Sequence, residues 1–165
     1  MSALYRVLTV LLASALSVIC MADNMQFGGT LLARPTCTVS DKGGRMDVRF
    51  GNINVNRIDG EQYRRAIPYQ INCPGANTNT TWRMRLTLKG NPAGFEPNKA
   101  LETSVPDLGI KVMFDGTALA PEQPRLVQIT PTAVPLLEAV PVKRAGGELP
   151  GIGFTASALL LAEFY

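Results

Sequence analysis

The sequence predicts an all-β chain, an antiparallel β-sandwich, and three observations carry that reading. Apolar residues recur with a period of two rather than 3.6. Twelve prolines are spread through the 165 residues, and no segment keeps up a helical apolar face. Turn-forming clusters separate the short apolar runs at near-regular spacing. A composition 46% hydrophobic and only 18% charged supports a packed core and excludes a disordered chain.

The first element is not part of that fold. Residues 1–6 form a short n-region carrying Arg6, and residues 7–19 are apolar apart from Thr9, Ser14 and Ser17. Cys20-Met21-Ala22 then places a small residue on each side of Met21. This predicts a secretory signal peptide over residues 1–22, cut after Ala22. An apolar run of about 13 residues falls well short of the ~20 needed to span a bilayer. A lipid anchor on Cys20 fits less well, because bulky Ile19 precedes it. No second run of spanning length follows, so the product is expected to be exported and not an integral membrane protein.

Next comes an extended stretch with Met25, Phe27, Gly29 and Leu31 on one face and Gln26, Gly28, Thr30 and Leu32 on the other. Two adjacent glycines specify it weakly as a strand, and Arg34-Pro35 ends it. By periodicity alone it is the first strand of the sandwich. Met46, Val48 and Phe50 alternate with Asp47 and Arg49. Ile67, Tyr69, Ile71 and Cys73 share a face opposite Pro68, Gln70 and Asn72, and Pro68 puts this strand at an edge or a bulge. Trp82, Met84, Leu86 and Leu88 alternate with Arg83, Arg85, Thr87 and Lys89. Leu108, Ile110, Val112 and Phe114 repeat the pattern, and Asp115-Gly116 supplies a turn.

Residues 136–142 form a further apolar stretch. The Pro-rich stretches 91–106 and 121–135 read as surface excursions holding short extra strands. The last run places Phe154, Ala156, Ala158, Leu160, Ala162 and Phe164 on one face, and Thr155, Ser157, Leu159, Leu161 and Glu163 on the other. A long apolar strand reaching the chain end is unusual, because terminal residues are ordinarily frayed and polar. An uncovered apolar edge is an aggregation hazard unless something pairs with it; read alone, the run is equally a buried central strand.

Three cysteines are present, and Cys20 leaves with the signal peptide. Cys37 and Cys73 remain as an even pair in an oxidising compartment, which predicts a structural disulfide. The chain has no histidine, which removes the commonest general base, the Ser-His-Asp and Cys-His pairs and every His-containing zinc site. No Gly-x-Ser-x-Gly elbow and no suggestively spaced carboxylate pair is visible, so neither an enzyme nor a cofactor or metal is expected. A formal net charge of +3 is too mild to argue for nucleic acid.

Taken together, Met25-Gln26-Phe27-Gly28-Gly29-Thr30-Leu31-Leu32, Arg34-Pro35-Thr36-Cys37-Thr38-Val39, Val48-Arg49-Phe50-Gly51-Asn52-Ile53, Cys73 at a strand end and the terminal strand with a penultimate aromatic resemble a known family. It is the pilin subunits of chaperone–usher fimbriae, of the P-pilus and type 1 kind. The stretch Phe50-Gly51-Asn52-Ile53-Asn54 looks most like the small adaptor subunits near fimbrial tips. The chain departs from the family in carrying Ile152 between two glycines, where a glycine is usual, and Phe164 in place of a penultimate tyrosine.

The resemblance implies an immunoglobulin-like sandwich that lacks its last strand and is completed by a donor strand from a partner. It implies a donor-strand extension over residues 23–35, with Met25, Phe27 and Leu31 as anchors and Gly29 where a side chain would clash. It implies a pilin domain over residues 36–165, whose groove is lined by the strand bearing Phe154, Ala156, Ala158, Leu160, Ala162 and Phe164. The partners implied are a periplasmic pilus chaperone, an outer-membrane usher and neighbouring fimbrial subunits, with passage through the periplasm to the cell surface. Two other readings stand beside it: a self-contained secreted sandwich that binds carbohydrate, and a fimbrial terminator whose groove is closed.

Overall fold

The structure, a computed structural model, describes residues 25–31, 36–41 and 44–165. The predicted signal peptide and the predicted Arg34-Pro35 break lie outside the described residues. The chain divides into two units, Met1–Ala33 and Arg34–Tyr165. In the first, residues 25–31 carry no regular secondary structure and are exposed.

Among its described residues the second unit is all β apart from a single 3₁₀ turn over Val55–Arg57. Its ten strands are β1 (Thr38–Ser40), β2 (Arg65–Ala66), β3 (Gln70–Asn72), β4 (Trp82–Lys89), β5 (Leu101–Glu102), β6 (Leu108–Phe114), β7 (Thr117–Ala118), β8 (Pro124–Ile129), β9 (Leu137–Lys143) and β10 (Leu159–Phe164). They form a three-stranded sheet ordered β10-β4-β8, a second sheet ordered β2-β9-β6-β5 with β7 paired to β6, and a small β1-β3 sheet. Every ladder between these strands is antiparallel. No described helix is long and apolar enough to cross a membrane.

The alternation explains how the sheets meet. Trp82, Met84, Leu86 and Leu88 from β4 pack with Val127 and Ile129 from β8 and with Leu160 and Ala162 from β10. Val112, Phe114 and Leu137 of the second sheet complete the same core. Strand β9 is apolar on both faces because loop residues Ala93, Phe95 and Ala100 cover Val142 from outside. Asp115 and Gly116 both take positive φ, 49° and 72°, the geometry that lets Phe114 pair with Thr117 across a two-residue hairpin. The predicted disulfide joins Cys37 to Cys73 and clamps the two strands together at the Thr38–Asn72 end of the β1-β3 sheet.

Four elements differ from the sequence expectation. The run through Ile67 and Cys73 splits at Pro68, so that β2 pairs with β9 while β3 pairs with β1. Pro68 has no N–H to carry one ladder across the break. The stretch 121–135 holds β8, a full six-residue member of the three-stranded sheet rather than a short extra strand. Residues 46–50 keep their alternation, half-buried at Met46, Val48 and Phe50 and exposed at Asp47 and Arg49, yet they form no ladder. The terminal strand begins at Leu159, and residues 154–158 precede it without pairing in a sheet.

Candidate functional site

β10 is an edge strand. It pairs with β4 from Leu159 opposite Lys89 to Phe164 opposite Met84, and among the described residues no strand pairs with its other side. Leu160 and Ala162 point into the core, and half-buried Phe164 meets Trp82 edge-on at 5.8 Å. An apolar strand with a free edge is ordinarily covered or charged, because its open N–H and C=O groups template pairing.

The segment 46–50 is a second unpaired run nearby. Met46 packs against the core to which Leu160 and Ala162 belong. At its far end the Phe50 ring lies 5.8 Å from that of Phe154, tilted by 36°. Phe154, Ile53 and Leu149 sit half-buried over a smaller core of Ile58, Val105 and Leu108. Two stretches patterned as strands, neither laddered to the other, thus border a strip of half-covered apolar side chains. An added β-strand would satisfy the edge with main-chain hydrogen bonds and the strip with alternate side chains.

Neighbouring contacts fix the approach to β10. The Ser104 amide donates to the Thr155 carbonyl at 2.9 Å, and the Thr155 amide donates to Ser104 Oγ at 3.0 Å. Thr103 is buried, and its Oγ1 donates toward the carbonyls of Val105 and Leu108 while accepting from the Val105 amide. At the end of β4, Gly90 lets the chain pass closely: a Cβ there would lie 2.8 Å from Leu101, 3.2 Å from the Ser157 carbonyl and 3.3 Å from Ala158. Beside it, the Glu122 carboxylate accepts from Lys89 Nζ at 2.6 Å and from the Gly90 amide at 2.9 Å. Those two donors, Lys89 first, hold the Glu122 carboxyl below its usual range.

Of the residues singled out from sequence, Leu160, Ala162 and Phe164 line the inner face of β10. Phe154 anchors the lower strip, and Ala156 and Ala158 are exposed in the unpaired lead-in. Met25, Phe27, Gly29 and Leu31 fall in the exposed stretch 25–31, with Phe27 85% exposed. Sequence reasoning missed Ile58 and Val105, which with Leu108 form the floor beneath Phe154. Val105 and Leu108 flank Pro106-Asp107, a turn signal that masks their shared face.

Trp82 is buried, and its indole N–H donates to the Asn77 carbonyl at 2.8 Å, so its ring offers no stacking platform. Among the described residues there is no cluster of three or more metal-ligating side chains.

Comparisons with known proteins agree with this architecture. Residues 25–164 match the family described as Fimbrial protein. The chain is 34% identical over 158 residues to the fimbrial-like protein YfcQ of Escherichia coli (strain K12), covering 95% of this chain and 96% of that protein. It is 31% identical over 134 residues to the fimbrial-like protein YfcR of the same organism, covering 80% and 75% respectively. Among solved structures it is similar to the P pilus adaptor subunit PapF, with a TM-score of 0.55, 25% identity and coverage of 81% of this chain and 98% of that one. It also shares the fold of the P pilus rod subunit PapA, with a TM-score of 0.57, 18% identity and coverage of 86% and 99%. The chain belongs to the fimbrial protein family, as a non-enzymatic structural subunit with an immunoglobulin-like sandwich.

Proposed function

We propose that this subunit is a minor, adaptor-type component of a surface fimbria and that it is assembled by donor-strand exchange. The observation that carries this reading is the free edge of β10 beside the unladdered segment 46–50, over a half-buried apolar strip. A periplasmic pilus chaperone would first lend a strand to that edge. At the outer-membrane usher, the extension of a neighbouring subunit would then replace it. The subunit's own residues 23–35, with Met25, Phe27 and Leu31 as anchors and Gly29 between them, would be donated to the next groove. The adaptor assignment draws support from the 25% identity to the P pilus adaptor subunit, against 18% to the rod subunit.

The test is co-expression of the mature chain with a periplasmic pilus chaperone. The reading expects a stoichiometric complex in which the amides of β10 gain protection from hydrogen exchange relative to the chain alone. A chain that remains a stable monomer by itself, with β10 amides already protected and no chaperone bound, would overturn it.

A further inference from the structure

The outward face of β10 carries apolar side chains where an edge strand ordinarily carries charge. Leu159 is 57% exposed and Leu161 36% exposed, both on the face away from the core, followed by Glu163. Opposite them on β4 stand Lys89 and Thr87, so on that side their neighbours are polar. On the other side lies the free edge. A strand added there would place two of its own outward side chains, two residues apart, beside Leu159 and Leu161.

The chain's own extension is a poor match for that pair. If Met25, Phe27, Gly29 and Leu31 face inward, the outward positions are Asn24, Gln26, Gly28, Thr30, Leu32 and Arg34. In any register and in either direction, two successive outward residues are Asn24 with Gln26, Gln26 with Gly28, Gly28 with Thr30, Thr30 with Leu32, or Leu32 with Arg34. None of these pairs offers two apolar side chains. A second copy of this chain would therefore leave at least one of the two leucines beside a polar side chain or beside glycine.

We propose that Leu159 and Leu161 select the incoming strand by its outward face, favouring a donor from a different protein with two successive apolar outward residues over the extension of a second copy of this chain. The inference rests on the strand-exchange reading above. It adds a determinant on the solvent side of the strand to the inward anchors, and it biases the subunit against polymerising with itself.

The test uses the mature chain and two labelled peptides spanning residues 23–35. One carries Thr at positions 26, 28 and 30 and the other carries Val at all three, which keeps shape and strand propensity closely matched while changing polarity. Binding is read by fluorescence anisotropy. The Val peptide is expected to bind about threefold to tenfold more tightly, the size of two cross-strand pairs. In the double variant Leu159→Thr, Leu161→Thr, that preference is expected to disappear while the Thr peptide still binds. Equal affinity of the two peptides for the unmodified chain, or a preference that survives in the double variant, would overturn the inference and leave strand exchange standing. Failure of both peptides and of the unaltered extension to bind would remove the strand-exchange reading, and the inference with it.

Discussion

The Phe50 and Phe154 rings, 5.8 Å apart, join two segments that share no ladder. Ring contact joins them at that point. Replacing Phe154 with Ala uncovers Ile58, Val105 and Leu108, and its half-burial puts the expected loss near 2 kcal/mol, below the range for a fully buried ring. Urea unfolding of Phe154→Ala, Phe50→Ala and the double variant should show a coupling of about 0.5–1.5 kcal/mol. Strict additivity would mean the rings do not support one another.

The Cys37–Cys73 bridge spans a sequence separation of 36 residues, for which chain entropy gives a stabilisation of about 4 kcal/mol. Reduction, or the paired change of both cysteines to alanine, is expected to lower the unfolding midpoint accordingly. Unchanged midpoints with and without reductant would show that β1 and β3 hold without the bond.

Gly90→Ala should disturb the lead-in to β10, since the new methyl would stand 2.8 Å from Leu101 and 3.2 Å from the Ser157 carbonyl. Overpacking of this kind costs about 1–3 kcal/mol. Amides of β10 should exchange faster in this variant than those of β6, which lies in the other sheet. Uniform acceleration across both sheets would locate the damage elsewhere.

Alkaline pH should weaken the fold through Tyr69. Its hydroxyl donates to the Pro135 carbonyl, and burial, assisted by the charge of Asp115, pushes its pKa up to about 12. The folded protein holds this proton more tightly than the unfolded chain, where tyrosine titrates near ~10. Its contribution is complete below about pH 10 and is lost as pH rises towards 12. Tyr69→Phe should flatten that part of the stability curve, and an equally steep fall in the variant would refute the assignment.

A peptide spanning residues 23–35 should raise the unfolding midpoint of the mature chain. At about 100 times its dissociation constant the gain is about 2.7 kcal/mol. The same peptide with Phe27→Asp should give no gain, because a carboxylate would enter the apolar strip. Equal gains from both peptides would indicate binding outside the groove.

Much of the sandwich was legible because its central strands obey a simple alternation. In β4 the apolar residues Trp82, Met84, Leu86 and Leu88 are all buried, and β6 behaves likewise. Strand β8 hid because it inverts the code. Arg125 faces inward over the Phe114 ring and donates to the Phe114 and Thr117 carbonyls, while Leu126 is exposed. The segment 46–50 reads as a strand from its pattern, and the pattern is present. A ladder requires a second strand, and no described residue supplies one. At the C-terminus, Ala156 and Ala158 prolong the apparent alternation, but small side chains carry little burial energy and the ladder starts only at Leu159.

The register of β10 also governs timing. Lys89 waits for Leu159 and Met84 for Phe164, so the middle strand of its sheet gains its second flank only from a segment far along the sequence. Pairings between such distant segments form slowly. A folding copy therefore passes through an interval in which β4 is bare on one side, and exposed strand edges of that kind favour association between copies. Loss of the whole of Leu159–Phe164 would make that interval permanent.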